Sequence, residues 1–138
     1  MVGAYIGNED CLTLNIFTKD LKPEKAYPVI VYLHGGAFSS GSNTKEIYGP
    51  DYLLEADVIL VCVNYRLGPL GFLSIKDKDL GVPGNAGLKD QRLALKWIQD
   101  NIKYFGGDAC NITLMGESAG AASAHLHCVS DGSKGYFE

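Results

Sequence analysis

The chain alternates between short apolar runs and longer segments that mix apolar with polar residues. Three runs are almost entirely apolar and rich in β-branched side chains: 29–33, 58–63 and 112–115. Continuous runs of this length are typical of strands in a sheet that is covered on both faces. The segment 12–18 alternates apolar with polar positions instead, which predicts an edge strand or a strand with one exposed face.

The segment 85–105, between the second and third runs, has the spacing of an amphipathic helix. Its apolar residues recur at steps of three and four and form one stripe, whereas the polar residues Asp90 and Gln91 fall off it. The stripe comprises Leu88, Leu95, Ile98, Ile102 and Phe105. Because strands alternate with helices, we expect an α/β fold with a mostly parallel sheet and right-handed crossovers.

The composition is that of one globular domain over residues 1–138, with 46% hydrophobic and 20% charged residues and no internal repeat. No apolar run approaches the roughly 20 residues that a bilayer-spanning helix requires, so we expect no membrane span. A net charge of −4 without a Lys/Arg cluster argues against a nucleic-acid partner. The N-terminal segment lacks the basic and apolar regions of a signal peptide.

The four cysteines have no spacing typical of a metal site, and we expect no metal. Cys62 lies inside an apolar run, which predicts a small buried side chain. Cys11, Cys110 and Cys128 leave open whether a disulfide forms, and their number does not fix a redox compartment.

The segment 116–120, called the elbow below, reads Gly-Glu-Ser-Ala-Gly and matches the G-x-S-x-G pattern. In that pattern a sharp strand-to-helix turn lifts the serine hydroxyl out of the sheet, and the next backbone N–H points to the same place. The alternative is a Gly-Ser turn without chemistry. The apolar run before Ser118 and the small residues 119–124 after it favour the catalytic interpretation.

The segment 34–38, called the glycine-rich loop below, reads His-Gly-Gly-Ala-Phe and follows the first buried run. Acyl transfer builds negative charge on the carbonyl oxygen, and backbone N–H groups must already point at it. A loop with few side chains supplies such donors. An ordinary Gly-Gly turn is the alternative, and the later elbow, in the expected chain order, argues against it.

Taken together, these motifs resemble the type-B carboxylesterases, which include the cholinesterases and insect esterases and have the α/β-hydrolase fold. The resemblance is strongest to insect carboxylesterases. Six motifs carry it in order along the chain: 9–12, 34–38, 64–72, 83–91, 105–108 and 116–120.

The resemblance implies a serine hydrolase that forms an acyl-enzyme on Ser118 from a small-molecule carboxylic ester, without metal or organic cofactor. It implies an oxyanion hole from the backbone N–H groups of Gly36, Ala37 and Ala119. Ala37 stands where a third glycine is commoner, and the substitution keeps the N–H.

Three further positions acquire roles from the resemblance, and a fourth, Asn111, is singled out by the sequence itself. Arg66 and Asp90 match an ion pair that braces the sheet against a helix. Cys11 matches a cysteine that pairs in secreted relatives with one further upstream, which slightly favours an extracellular protein. Asn111 begins an Asn-Ile-Thr sequon, which is glycosylated only in the secretory pathway; a plain turn residue is the alternative.

A serine nucleophile needs a base, and none of the three histidines suits the role. His34 belongs to the glycine-rich loop. His125 and His127 follow Ser118 by seven and nine residues, which is about 10 Å and 13 Å along a helix, beyond hydrogen-bond reach.

The acidic residues offer no substitute. Glu117 is expected to point away from Ser118, and Asp131 has no histidine placed to receive its carboxylate. Relatives carry the triad acid and histidine far beyond the serine, so we interpret 1–138 as the N-terminal part of a longer domain that is inactive alone. Two other hypotheses remain: a non-catalytic cholinesterase-like adhesion protein, against which the retained Ser118 argues, and a truncated product.

Overall fold

A computed structural model describes residues 7–138, and within them four strands form one sheet in the order β1-β3-β2-β4. Strands β2, β3 and β4 are parallel, and β1 pairs antiparallel with β3 at the edge. The predicted α/β class with a mostly parallel sheet is confirmed. The strands are β1 (Leu14–Phe17), β2 (Tyr27–Leu33), β3 (Ile59–Val63) and β4 (Gly107–Gly116).

Four α-helices connect or follow the strands in this part of the chain. They are α1 (Lys45–Tyr48), α2 (Gly68–Phe72), α3 (Ala86–Asn101) and α4 (Ala119–Cys128). Short 3₁₀ turns lie at Leu53–Glu55, Lys78–Leu80, Ile102–Phe105 and Asp131–Ser133. None of the helices described is long and apolar enough to cross a membrane.

Strand β1 is shorter than the predicted segment 12–18 and β2 begins two residues before 29, and two further elements differ more from the expected bounds. The predicted helix over 85–105 is α3 followed by a 3₁₀ turn, which ends at Gly106 with a left-handed φ of 83°. Strand β4 begins five residues before the apolar run at 112, because Gly107 pairs with Tyr27 of β2 despite the polar sequence between. Cross-strand pairing, which local composition does not reveal, therefore sets the start of β4.

One face of the sheet packs against α3 and forms the core. Leu95, Ile98 and Ile102 are fully buried, which confirms the apolar stripe of the helix. Burying a side chain of this size stabilises the fold by roughly 1.5–3 kcal/mol relative to exposure. The strands contribute Val29, Val31, Leu33, Ile59, Val61, Val63 and Ile112 to the same core.

The opposite face is covered unevenly. Every residue of β3 is buried, but burial alternates along β2, and Met115 of β4 is 38% exposed. Tyr48 and Leu53 lie over part of this face and leave a cavity of about 160 Å³ beside Cys62. Among the described residues, the expectation of cover on both faces therefore holds for β3 alone.

Candidate active site

The elbow joins the end of β4 to the start of α4. Ser118 has φ 51° and ψ −117°, a combination that residues other than glycine rarely adopt. The turn is fixed by hydrogen bonds from Gly120 N to Glu117 O (2.8 Å) and from Ala122 N to Ser118 O (3.0 Å). Ser118 is exposed, and its backbone strain is of the kind that concentrates at functional sites.

The two glycines of the elbow are required by close backbone contacts. A Cβ on Gly120 would overlap the carbonyl oxygen of Leu33 at the end of β2. A Cβ on Gly116 would in turn overlap the carbonyl group of Gly120. Strand β2, strand β4 and the first turn of α4 are therefore so close that only hydrogen fits between them.

The glycine-rich loop has an unusual backbone. Gly36, Ala37 and Phe38 have consecutive positive φ values of 112°, 52° and 59°. The carbonyl oxygen of Gly36 accepts hydrogen bonds from Ser39 N and Ser40 N at 2.9 and 3.0 Å, which closes the loop on itself. Two non-glycine residues in the left-handed region carry strain that the surrounding contacts must offset.

The glycine-rich loop and the elbow are neighbours. A Cβ on Gly35 would lie 3.2 Å from the Cβ of Ser118 and 3.0 Å from the carbonyl oxygen of Glu117. The glycine-rich loop and Ser118 are thus in contact. This contact is a condition of the hypothesis that the loop supplies backbone donors beside the serine. The Glu117 carboxylate lies against Gly35, and no hydrogen bond joins it to Ser118 in the described part of the chain.

His34 is buried inside the loop rather than directed at the serine. Its ring stacks on Tyr65 at 4.5 Å, and its Nδ1 is 2.8 Å from the carbonyl oxygen of Gly35. Burial lowers the pKa of His34 and keeps the imidazole neutral at pH 7. Its Nε2 has no hydrogen-bond partner between residues 7 and 138. The expected loop-packing role agrees with these contacts.

His127 belongs to a buried polar network between α3 and α4. The side-chain amide of Gln91 donates from Nε2 to Ser123 Oγ at 3.1 Å. Its other atom, the side-chain oxygen Oε1, therefore accepts from His127 Nε2–H at 2.9 Å. The remaining ring nitrogen, Nδ1, then accepts from Ser133 Oγ at 2.7 Å. Burial, followed by the nearby charge of Arg92, lowers the pKa of His127.

Asp90 and Gln91 show that the buried surface of α3 extends beyond its apolar stripe. Both fall off the apolar stripe, yet they are 8% and 0% exposed. The reason is that α3 has a second contact surface, where polar partners on α4 and after β3 satisfy these side chains. His125, by contrast, is exposed, and neither it nor His127 is hydrogen-bonded to Ser118 in the part of the chain described.

Arg66 and Asp90 form a two-pronged ion pair. The guanidinium donates from Nε and Nη2 to the two carboxylate oxygens at 2.8 and 2.7 Å, and the Arg66 backbone N–H adds a third bond at 3.1 Å. The Asp90 side chain is 6% exposed and that of Arg66 is 44% exposed. The pair ties the segment after β3 to the first turns of α3.

The cysteines and the sequon can also be placed. Cys11, Cys110 and Cys128 are exposed, Cys62 is buried as expected, and no disulfide joins these four. Burial raises the pKa of the Cys62 thiol to about 11, which makes it unreactive at neutral pH. Asn111 lies exposed on β4.

Comparison with known proteins agrees with this geometry. A model of the carboxylesterase family matches residues 2–138. The chain belongs to the carboxylesterase family. The family had been inferred from six motifs, and the match over nearly the whole chain confirms that inference.

Individual members of the family are similar over the same region. Esterase B1 of Culex pipiens is 50% identical over 133 residues, covering 96% of this chain and 25% of that protein. Juvenile hormone esterase of Tribolium castaneum is 46% identical over 132 residues, covering 96% and 22%. The chain thus spans about a quarter of the length of the curated relatives it matches.

Solved esterase structures share the fold, which confirms the expected α/β-hydrolase architecture. Juvenile hormone esterase from Manduca sexta superposes with a TM-score of 0.88 at 44% identity, covering 94% of this chain and 24% of that structure. A PNB esterase gives a TM-score of 0.90 at 41% identity, covering 100% and 28%.

Proposed function

We propose that this chain is the N-terminal part of a serine carboxylester hydrolase in which Ser118 is the nucleophile. The observation that carries the proposal is the contact between two strained backbone segments, the elbow at Ser118 and the glycine-rich loop. Strained backbone of this kind is held in place by the surrounding structure and clusters at active sites.

In this mechanism the Ser118 hydroxyl attacks the carbonyl carbon of a carboxylic ester, and the alcohol leaves. Water then attacks the acyl-enzyme and releases the acid. The N–H groups of Gly36, Ala37 and Ala119 stabilise the negative charge on the carbonyl oxygen in both steps. Ala119 N lies at the start of α4, where the partial positive charge of the helix favours an anion.

The hydroxyl proton must pass to a base that the described residues do not supply. His34 and His127 are buried in contacts of their own, and the exposed His125 lies on α4 away from its N-terminus. We therefore propose that a later part of the complete protein provides the base and its orienting acid. The 138-residue chain alone then lacks turnover.

Two comparisons test the proposal. The complete protein and its Ser118→Ala variant are assayed on an aryl ester; we expect a loss of about 10⁶-fold, as for removal of a serine nucleophile in another hydrolase. An organophosphate should label the complete protein stoichiometrically at Ser118. Equal turnover by both proteins and no labelling would favour the adhesion alternative, in which the fold serves only to bind a partner.

The isolated chain is the second comparison. We expect it to hydrolyse the aryl ester no faster than its own Ser118→Ala variant. Turnover by the isolated chain that depends on Ser118 would contradict the proposed need for a later base. Glycosylation at Asn111 stays a prediction.

A further inference from the structure

Tyr65 lies two residues after β3 and is only 4% exposed. Its hydroxyl donates a hydrogen bond of 2.6 Å to the carbonyl oxygen of His34, the first residue of the glycine-rich loop. Burial raises the pKa of Tyr65 to about 12, so the phenol keeps its proton at neutral pH and remains a donor. The tyrosine ring stacks on the His34 ring with an interplanar angle of 15°.

The same carbonyl group also faces the elbow. A Cβ on Gly120 would lie 2.9 Å from the His34 carbonyl oxygen, so this oxygen lies against the first turn of α4. The peptide unit after His34 is therefore held on one side by the Tyr65 hydroxyl and confined on the other by the helix that begins beside Ser118. It is thus one structural link between the two segments that carry backbone donors, beside the contact of Gly35 with Ser118.

We propose that Tyr65 is a positioning residue that holds the glycine-rich loop in register with the elbow, an inference that rests on the proposed function. By fixing the His34 carbonyl, its hydroxyl sets the distance between the N–H groups of Gly36 and Ala37 and that of Ala119. Donors that stabilise a developing charge are effective because their positions are set before the reaction. A displacement of about 1 Å can cost about 100-fold in rate.

The test uses the Tyr65→Phe variant of the complete protein, which keeps the ring and its stacking on His34. We expect kcat to fall by about 10- to 100-fold with KM within about twofold, because the lost alignment affects the transition state and not the bound ester. Affinity for a trifluoromethyl ketone, whose adduct with the serine carries an oxyanion, should fall in parallel. The matched control is Tyr104→Phe, which removes a hydroxyl from a side chain that is 69% exposed.

Rates are expressed per site titrated with an organophosphate, so that misfolded protein lowers the number of sites and not kcat. Unchanged kcat and ketone affinity in Tyr65→Phe, with Ser118→Ala inactive, would overturn the role of Tyr65 and leave the proposed function standing. Failure to obtain Tyr65→Phe protein with the circular dichroism spectrum of the wild type would also overturn it, because the hydroxyl would then be needed for folding. Equal activity of wild type and Ser118→Ala would instead refute the proposed function itself.

Discussion

The Arg66–Asp90 pair is exposed unevenly, and this asymmetry predicts which partner is costlier to remove. Asp90 is nearly buried, whereas 44% of the Arg66 side chain is exposed to water. The substitution Arg66→Met keeps the aliphatic stem but removes two of the three donors to the carboxylate, leaving only the 3.1 Å bond from the backbone. The reverse change, Asp90→Asn, leaves a guanidinium that water can solvate.

The size of the effect follows from the burial. Breaking a fully buried ion pair costs about 3–5 kcal/mol, whereas an exposed pair contributes about 0.2–1 kcal/mol. Because one partner is half exposed, we expect Arg66→Met to lower the free energy of unfolding by about 2–3 kcal/mol. For Asp90→Asn we expect about 1 kcal/mol, since the amide oxygen still accepts one bond. Arg66→Lys, which loses the two-pronged geometry but keeps the charge, should also cost about 1 kcal/mol.

Equilibrium urea denaturation of the complete protein, followed by circular dichroism, measures these differences. Lys96→Met is the matched control, because Lys96 and Asp100 form a single 2.7 Å contact with both side chains about half exposed. Its loss should cost less than about 0.5 kcal/mol. If Asp90→Asn were as destabilising as Arg66→Met, or if Arg66→Met matched the Lys96 control, the argument from buried charge would be wrong.

Two other predictions concern the contacts of α4. Because burial holds the pKa of His127 below 6.5, the unfolded chain binds this proton more readily, and the stability present at pH 7 is lost as pH falls below 6.5 and through the lower pKa of the folded state. The urea midpoint should therefore drop less between pH 7 and 5 in His127→Gln than in wild type. Equal drops in both proteins would contradict the claim that burial of neutral His127 contributes to the pH dependence of stability. Gly120→Ala should destabilise by about 3 kcal/mol or more in the same assay, because its Cβ overlaps backbone. Gly81→Ala, with φ 63° and open space around it, should cost only about 1 kcal/mol, and similar losses in both would refute the steric argument.

The sequence predicted the core elements because their signals are local. The runs at 29–33 and 58–63 are apolar enough to require burial in any fold, and the stripe on α3 follows directly from helical periodicity. The strand-to-helix turn at Ser118 was also predicted from its neighbours, an apolar run before it and small residues after it. These predictions needed no knowledge of what lies across the sheet.

The parts that the sequence did not reveal depend on partners distant in the chain. From its hydropathy alone Gln91 looks like a surface residue. Its burial becomes understandable only when Ser123 and His127 are known to be its hydrogen-bond partners, since a polar side chain can be buried where such partners are available. The hydroxyl of Tyr65 reaches a carbonyl 31 positions away. The left-handed backbone at Ala37 is equally hidden, since alanine itself has no preference for it.

The strand order also accounts for where the site lies. From β2 the chain crosses to β3 on one side, and from β3 it returns past β2 to β4 on the other. In open α/β sheets the carboxyl ends of adjacent strands, where the strand order reverses, are the usual place for a ligand site. The glycine-rich loop leaves β2 there, and Ser118 leaves the adjacent strand at the same end. The path of the chain thus brings the glycine-rich loop and Ser118 together at the carboxyl end of two adjacent strands, so backbone topology fixes their proximity and the side chains around them do not.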